Sequence, residues 1–179
     1  KSSVIDVYDL CVPGPNSYSV NGLYGHNTPT GITDALSLAG KKKITVPPFI
    51  FCPNGLVKNW VEEVQKYTGG KWNAIPINTS VIRDWGEEAL VEMLSKAPLN
   101  TFVIIGFSCL TLGRYKLVIG NHVEEVSPIL EMIKRFGPQF IVIDESQFAK
   151  RMTSGLNRAL SQLTLSSAAR YVRLATGTL

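Results

Sequence analysis

The sequence predicts an α/β domain built on a parallel sheet, preceded by a short all-β segment. Two observations predict it. From residue 28 onward, short apolar runs alternate with stretches whose apolar residues recur at helical spacing, the pattern of parallel strands joined by right-handed crossovers. Before residue 28, VYDLCVPGPNSYSVNGLYGHN reads as two short β runs around a Pro-Gly-Pro-Asn turn. The stretch Val20–Leu36 is the seam between residues 1–27 and residues 28–179.

Past the seam, Ile32, Ala35, Leu36 and Ala39 share one face of a helix expected from Thr28 to Gly40. Lys41, Lys42 and Lys43 follow, favourably placed against the negative end of its dipole. Phe49–Pro53 (FIFCP) is too short and apolar for anything but a buried strand. Leu56–Tyr67 carries Leu56, Val57, Trp60, Val61 and Val64 at helical spacing and stops at Gly69-Gly70. Asn73–Ile77 is a weaker strand, and Ser80–Ala97 is a helix with a helix-disfavouring Gly86 inside it. Thr101–Phe107 and Phe140–Ile143 are strands, with a helix expected over Glu124–Phe136 between them. Leu156–Leu165 closes the pattern as a helix, followed by a strand at Tyr171–Ala175.

Composition narrows the class. The 179 residues are 45% hydrophobic and 18% charged, the balance of a globular chain, and they suffice for one ordinary domain. No apolar run approaches a membrane span, and residues 1–20 lack a signal-peptide layout, so no membrane partner is expected. Cys11, Cys52 and Cys109 are too scattered for a zinc site or a disulfide framework, which fits a reducing, cytoplasmic compartment. The net charge of +4 is uneven. Lys1 stands against Asp6 and Asp9, leaving residues 28–179 with 17 of the 18 basic and 12 of the 14 acidic side chains. That excess is compatible with a polyphosphate partner, although solvated lysines would give the same balance. Opening on Lys1 and ending on Leu179, the chain is expected to be a fragment.

Parallel α/β sheets bind ligands at the carboxyl ends of their strands. FIVIDESQ places Asp144 and Glu145 there. Of two such carboxylates, the first can hold Mg²⁺ directly or through water, and the second can orient and deprotonate an attacking water. A surface turn with both carboxylates solvated is the competing reading. A phosphate site normally also needs a glycine-rich loop ending G-K-[ST] at a helix N-terminus. This sequence has no such loop. Thr28 is the only Ser or Thr opening a suitable helix, and it follows His26-Asn27.

The seam has its own chemistry. The Asn27 side-chain amide can attack its own main-chain carbonyl, closing a succinimide and releasing the amine of Thr28. His26 can polarise that carbonyl or protonate the leaving amine. The Thr28 hydroxyl can hold an acyl group as an ester before the peptide bond re-forms. The larger pattern, VYDL followed by a turn-rich gap and NSYSVNGLYGHN before Thr, resembles the C-terminal splicing region of an intein over Val7–Thr28. The resemblance implies assistance from Asp9. Excision through Asn27 would join an upstream flank ending in G-K to Thr28 and complete G-K-T.

Residues 28–179 carry a second resemblance. FIFCPNGLVKNWVEEVQKYTGG, IIGFSCL, IDESQFAKRMTSGLNRAL and ATGTL resemble, in order, segments of Swi/Snf-like superfamily-two helicases and translocases. The resemblance implies an incomplete RecA-like P-loop NTPase lobe that uses ATP and Mg²⁺. It assigns Thr28, Asp144, Glu145 and Gln147 to Mg·ATP, with Thr28 and Asp144 as metal ligands and Glu145 as the catalytic base. Thr176, Gly177 and Thr178 would couple the nucleotide site to nucleic acid, double-stranded DNA being the expected partner, and Lys150 occupies the usual basic position. Ser146, Gln147 and Arg151 depart from the more common Ala, His and Asn, which leaves the subgroup open. The phosphate-loop lysine and the second lobe are not in this sequence, so the fragment alone is expected to be inactive. Two other readings compete: a plain α/β nucleotide- or protein-binding domain, and a kinase-like phosphotransferase, against which the order CP-x₆-W, DESQ, Lys150 and TGT argues.

Overall fold

Three short strands, apolar but for one threonine, fix the architecture. In the computed structural model, which describes residues 17–20, 23–113, 115–119, 122–146, 155–165 and 168–175, these are β3 (Phe49–Cys52), β5 (Thr101–Gly106, polar only at its first residue) and β8 (Phe140–Ile143). They pair in parallel and in register, so that Phe49 lies beside Val103 and Ile141, Ile50 beside Ile104 and Val142, and Phe51 beside Ile105 and Ile143. Every residue of the three strands is buried. Continuous apolar runs of this kind are what a parallel sheet covered on both faces requires.

Flanking strands β4 (Asn73–Ile77) and β9 (Tyr171–Leu174) complete a five-stranded sheet in the order β4-β5-β3-β8-β9. Its pairings are all parallel. Side chains alternate across a strand, so the two faces collect different cores. Ile50, Cys52, Phe102, Ile104, Phe140 and Val142 meet helices α1 (Asn27–Gly40) and α2 (Val57–Thr68) through Ile32, Ala35, Trp60 and Val64. On the opposite face, Phe49, Phe51, Val103, Ile105, Ile141 and Ile143 meet α3 (Thr79–Lys96), α4 (Pro128–Phe136) and α5 (Gly155–Thr164). Each large side chain sealed this way contributes roughly 1.5–3 kcal/mol of burial.

The expected alternation of strands and helices is present, with boundaries displaced by a residue or two at most except in one region. There, Glu124 does not open a helix. It lies in β7 (His122–Val126), which pairs antiparallel with β6 (Tyr115–Ile119), a strand the periodicity did not announce. Pro128 is the reason. The residue before a proline is disfavoured in the α region; Ser127 accordingly has φ −100° and ψ 125°, and α4 starts with Pro128 in its first turn. Gly86 does interrupt its helix: with φ 76° and ψ 170° it breaks α3 into two segments.

Of the two β runs expected around Pro13-Gly14-Pro15-Asn16, the first lies outside the described residues. The second consists of β1 (Ser17–Val20) and β2 (Leu23–His26), antiparallel with Val20 opposite Leu23. Helix α1 follows β2 directly. Its direction follows from two contacts. Gly31 packs on Val142, while Thr45, just past the helix, donates its backbone N–H to the Gln139 side chain 2.7 Å away at the start of β8. The helix therefore runs antiparallel to β8, with its first turn at the carboxyl end of the sheet. An ion pair between Asp34 and Arg173 ties the same helix to β9.

Gly31 permits that approach. A Cβ there would sit 3.3 Å from the Val142 side chain and 3.6 Å from the Trp60 ring. Gly31→Leu should destabilise the chain by about 1–3 kcal/mol through overpacking. Gly40→Ala, where nothing lies within 4 Å, should be close to neutral. Urea unfolding of the two variants checks the contrast.

Candidate functional site

The carboxyl end of β8 is where the apolar sheet gives way to charge. Strand pairing continues one residue past β8: the Asp144 N–H donates to the Phe51 carbonyl at 2.8 Å, and on the other side the Ala175 N–H donates to the Ile143 carbonyl at 2.8 Å. Asp144 is thus held between β3 and β9 like a strand residue. Glu145 then turns the chain away with φ 51°, a left-handed conformation that a non-glycine residue adopts at a cost on the order of 1–3 kcal/mol. The turn is secured by the Ser146 N–H, which donates to the Ala175 carbonyl at 2.8 Å.

Only 8% of Asp144 is exposed. Both oxygens of its carboxylate are engaged. Oδ2 accepts a hydrogen bond from the indole Nε1–H of Trp60 at 2.8 Å, and Oδ1 accepts the backbone N–H of Glu145 at 2.9 Å. Burial pushes the Asp144 pKa above its ordinary value, against the pull of the Trp60 and Glu145 hydrogen bonds. The Cys52 thiol, at the end of the neighbouring strand, is pushed up by burial first and then by the Asp144 charge. Among the described residues no Lys or Arg forms an ion pair with Asp144. A buried carboxylate without a compensating cation is costly. Hard oxygen donors with spare lone pairs, at the carboxyl end of a parallel sheet, fit a divalent cation of the Mg²⁺ type.

The expected site residues fall into three groups. Asp144 and Glu145 sit together at the end of β8, as the apolar run before them implied. For His26, Asn27 and Thr28 the backbone alone is described: His26 ends β2, and Asn27 and Thr28 form the start of α1, on the same side of the sheet as the acidic pair. Gln147, Lys150, Arg151, Thr176, Gly177 and Thr178 lie outside the described residues, as does Asp9. The Trp60 contact was not read from the sequence, where that residue counted as part of an apolar helix face and of the FIFCPNGLVKNW resemblance. The signal available was its chemistry, since a buried indole N–H normally finds an acceptor.

No protein-family model matches the chain, and no curated protein matches it. Among solved structures, the chain is similar to a Sulfolobus solfataricus SWI2/SNF2 ATPase core in complex with dsDNA, with a TM-score of 0.56 and 20% sequence identity. The match covers 86% of this chain and 25% of that one, so the chain spans about a quarter of the length of this neighbour. At that identity the likeness shows a shared fold: a mixed α/β lobe on a parallel sheet.

The environment of Asp144 has a consequence for stability. A carboxyl whose pKa is raised by folding holds its proton to higher pH in the folded chain than in the unfolded one. Its contribution is therefore fully present below the unfolded value of 3.8 and is lost as pH rises through the folded value. Asp144→Asn does not titrate, so the unfolding free energy of the wild type relative to this variant should fall as pH rises from 3.8 toward neutrality. Urea unfolding across a pH series checks it; a difference that stays flat would show a carboxylate in contact with water.

Proposed function

We propose that residues 28–179 form part of the first ATPase lobe of a nucleic-acid-dependent motor of the Swi/Snf-like superfamily-two kind. Residues 1–27 are the C-terminal splicing segment of an intein that interrupts it. The observation that carries the motor reading is the Asp144-Glu145 pair, at the carboxyl end of a buried parallel strand and on the side of the sheet toward which the first turn of α1 points. The shared fold with a SWI2/SNF2 ATPase core supports it, as do the ordered segments from FIFCPNGLVKNW to ATGTL.

In this reading Asp144, with Thr28 once splicing has completed a G-K-T loop, would hold Mg²⁺. The bound metal nucleotide supplies a phosphoryl group whose charge is partly neutralised. Glu145 orients the attacking water and takes its proton. Gln147 lines the same site, and Thr176, Gly177 and Thr178 pass the state of the nucleotide to double-stranded DNA. The lysine of the phosphate loop and a second lobe come from outside these 179 residues.

The splicing step belongs to the seam. The Asn27 amide nitrogen bonds to the Asn27 carbonyl carbon, the bond from that carbon to the Thr28 nitrogen breaks, and His26 gives the departing amine its proton. The acyl group held on the Thr28 oxygen then passes to that amine. The change from antiparallel β1–β2 to the helix of the α/β lobe falls at His26-Asn27, which suits a boundary between an excised segment and its host.

Two variants test the two halves separately. Glu145→Gln in the spliced, full-length protein should retain Mg·ATP binding and lose turnover by roughly the 10²–10⁴-fold expected for a positioned base. Wild-type turnover in that variant would leave a plain α/β binding domain as the better reading. Asn27→Ala in the precursor should abolish release of the Thr28 amine, seen by mass spectrometry as an uncut junction. Normal release from this variant would end the intein assignment.

A further inference from the structure

Trp60 reaches two parts of the candidate site at once. It comes from α2, is 2% exposed, and presents its indole N–H to Asp144 Oδ2 at 2.8 Å across 84 residues of sequence. The far edge of the same ring faces α1, where its Cη2 lies 3.6 Å from the position a Cβ on Gly31 would take. Asp144 Oδ1 is held separately by the Glu145 N–H at 2.9 Å. The carboxylate is thus gripped by one donor on each oxygen, which fixes its rotation and leaves lone pairs on both for another ligand.

We propose that Trp60 is a positioning residue for the metal nucleotide: its N–H sets the orientation of the Asp144 carboxylate, and its ring sets how closely the first turn of α1 approaches that carboxylate. This rests on the reading of Asp144 as a metal ligand. A large apolar side chain would fill the space under Gly31 equally well, so packing alone does not select an indole. The N–H does: it is aimed at one oxygen of a buried carboxylate, in a core otherwise lined by Ile32, Ala35, Cys52 and Val142. Hydrogen-bond partners of this kind behind a ligating carboxylate typically govern metal affinity by 10–100-fold.

Trp60→Phe keeps most of the ring and removes the donor. With Mn²⁺ as the metal and a non-hydrolysable ATP analogue as the nucleotide, free Mn²⁺ can be followed by electron paramagnetic resonance in the spliced, full-length protein. Trp60→Phe should weaken Mn²⁺ binding about tenfold or more, while binding of the analogue in excess EDTA stays at the wild-type level. Should the phenylalanine variant not fold, benzothienylalanine at position 60 preserves the bicyclic shape without the N–H and should give the same loss. Wild-type Mn²⁺ affinity in either folded variant would overturn the role of Trp60 alone. A wild-type protein that binds no Mn²⁺ with the analogue would instead overturn the metal-site reading, and the role of Trp60 with it.

Discussion

Register between β5, β3 and β8 is the constraint on which the rest of the structure depends. Because the three strands are paired without offset, their alternate residues form rows, and each row belongs wholly to one face. A shift of one residue in any strand would send its set of side chains to the wrong helical layer. Helices α1 and α2 can cover one face, and α3, α4 and α5 the other, only because the rows are unmixed. The same alignment brings β3 and β8 to an end side by side, so that Cys52 and Asp144 become neighbours.

The acidic pair is therefore a product of the sheet as much as of its own two residues. Asp144 retains strand-like pairing to β3 and lies buried, and Glu145 after it departs in a left-handed turn. Neither feature favours stability on its own. A buried carboxylate resists ionisation, and a left-handed glutamate is conformationally expensive. Local rules broken at the end of a well-packed strand are characteristic of sites kept for chemistry.

Much of this was legible in the sequence, and the reasons differ by element. FIFC, TFVIIG and FIVI announced themselves because strands buried on both faces need unbroken apolar runs, and DE behind the last of them marked the candidate site. The hairpin of β6 and β7 did not. Glu124-Glu125 before an apolar stretch looks like the acidic first turn of a helix, and the restraint that Pro128 places on Ser127 was the stronger local signal. The partnership of Trp60 with Asp144 spans two crossovers, so no local pattern encodes it. The left-handed backbone of Glu145 leaves no trace either, since glycine or asparagine would ordinarily mark such a position.

The strand order also dictates a sequence of events in time. Strand β3 is synthesised first among the five of the sheet, yet it lies in the middle and gains its two neighbours only after β5 and then β8 have been made. Bringing Phe49 beside Ile141 means closing a loop that encloses two helices of one layer and one of the other between them, a slow step compared with forming any of those helices. Until the residue just past β8 has been made, the indole N–H of Trp60 faces a growing chain that does not yet contain its acceptor. The contact between Trp60 and Asp144 therefore waits on the docking of β8, while β9 and the Ala175 carbonyl that secures the Glu145 turn are made later still.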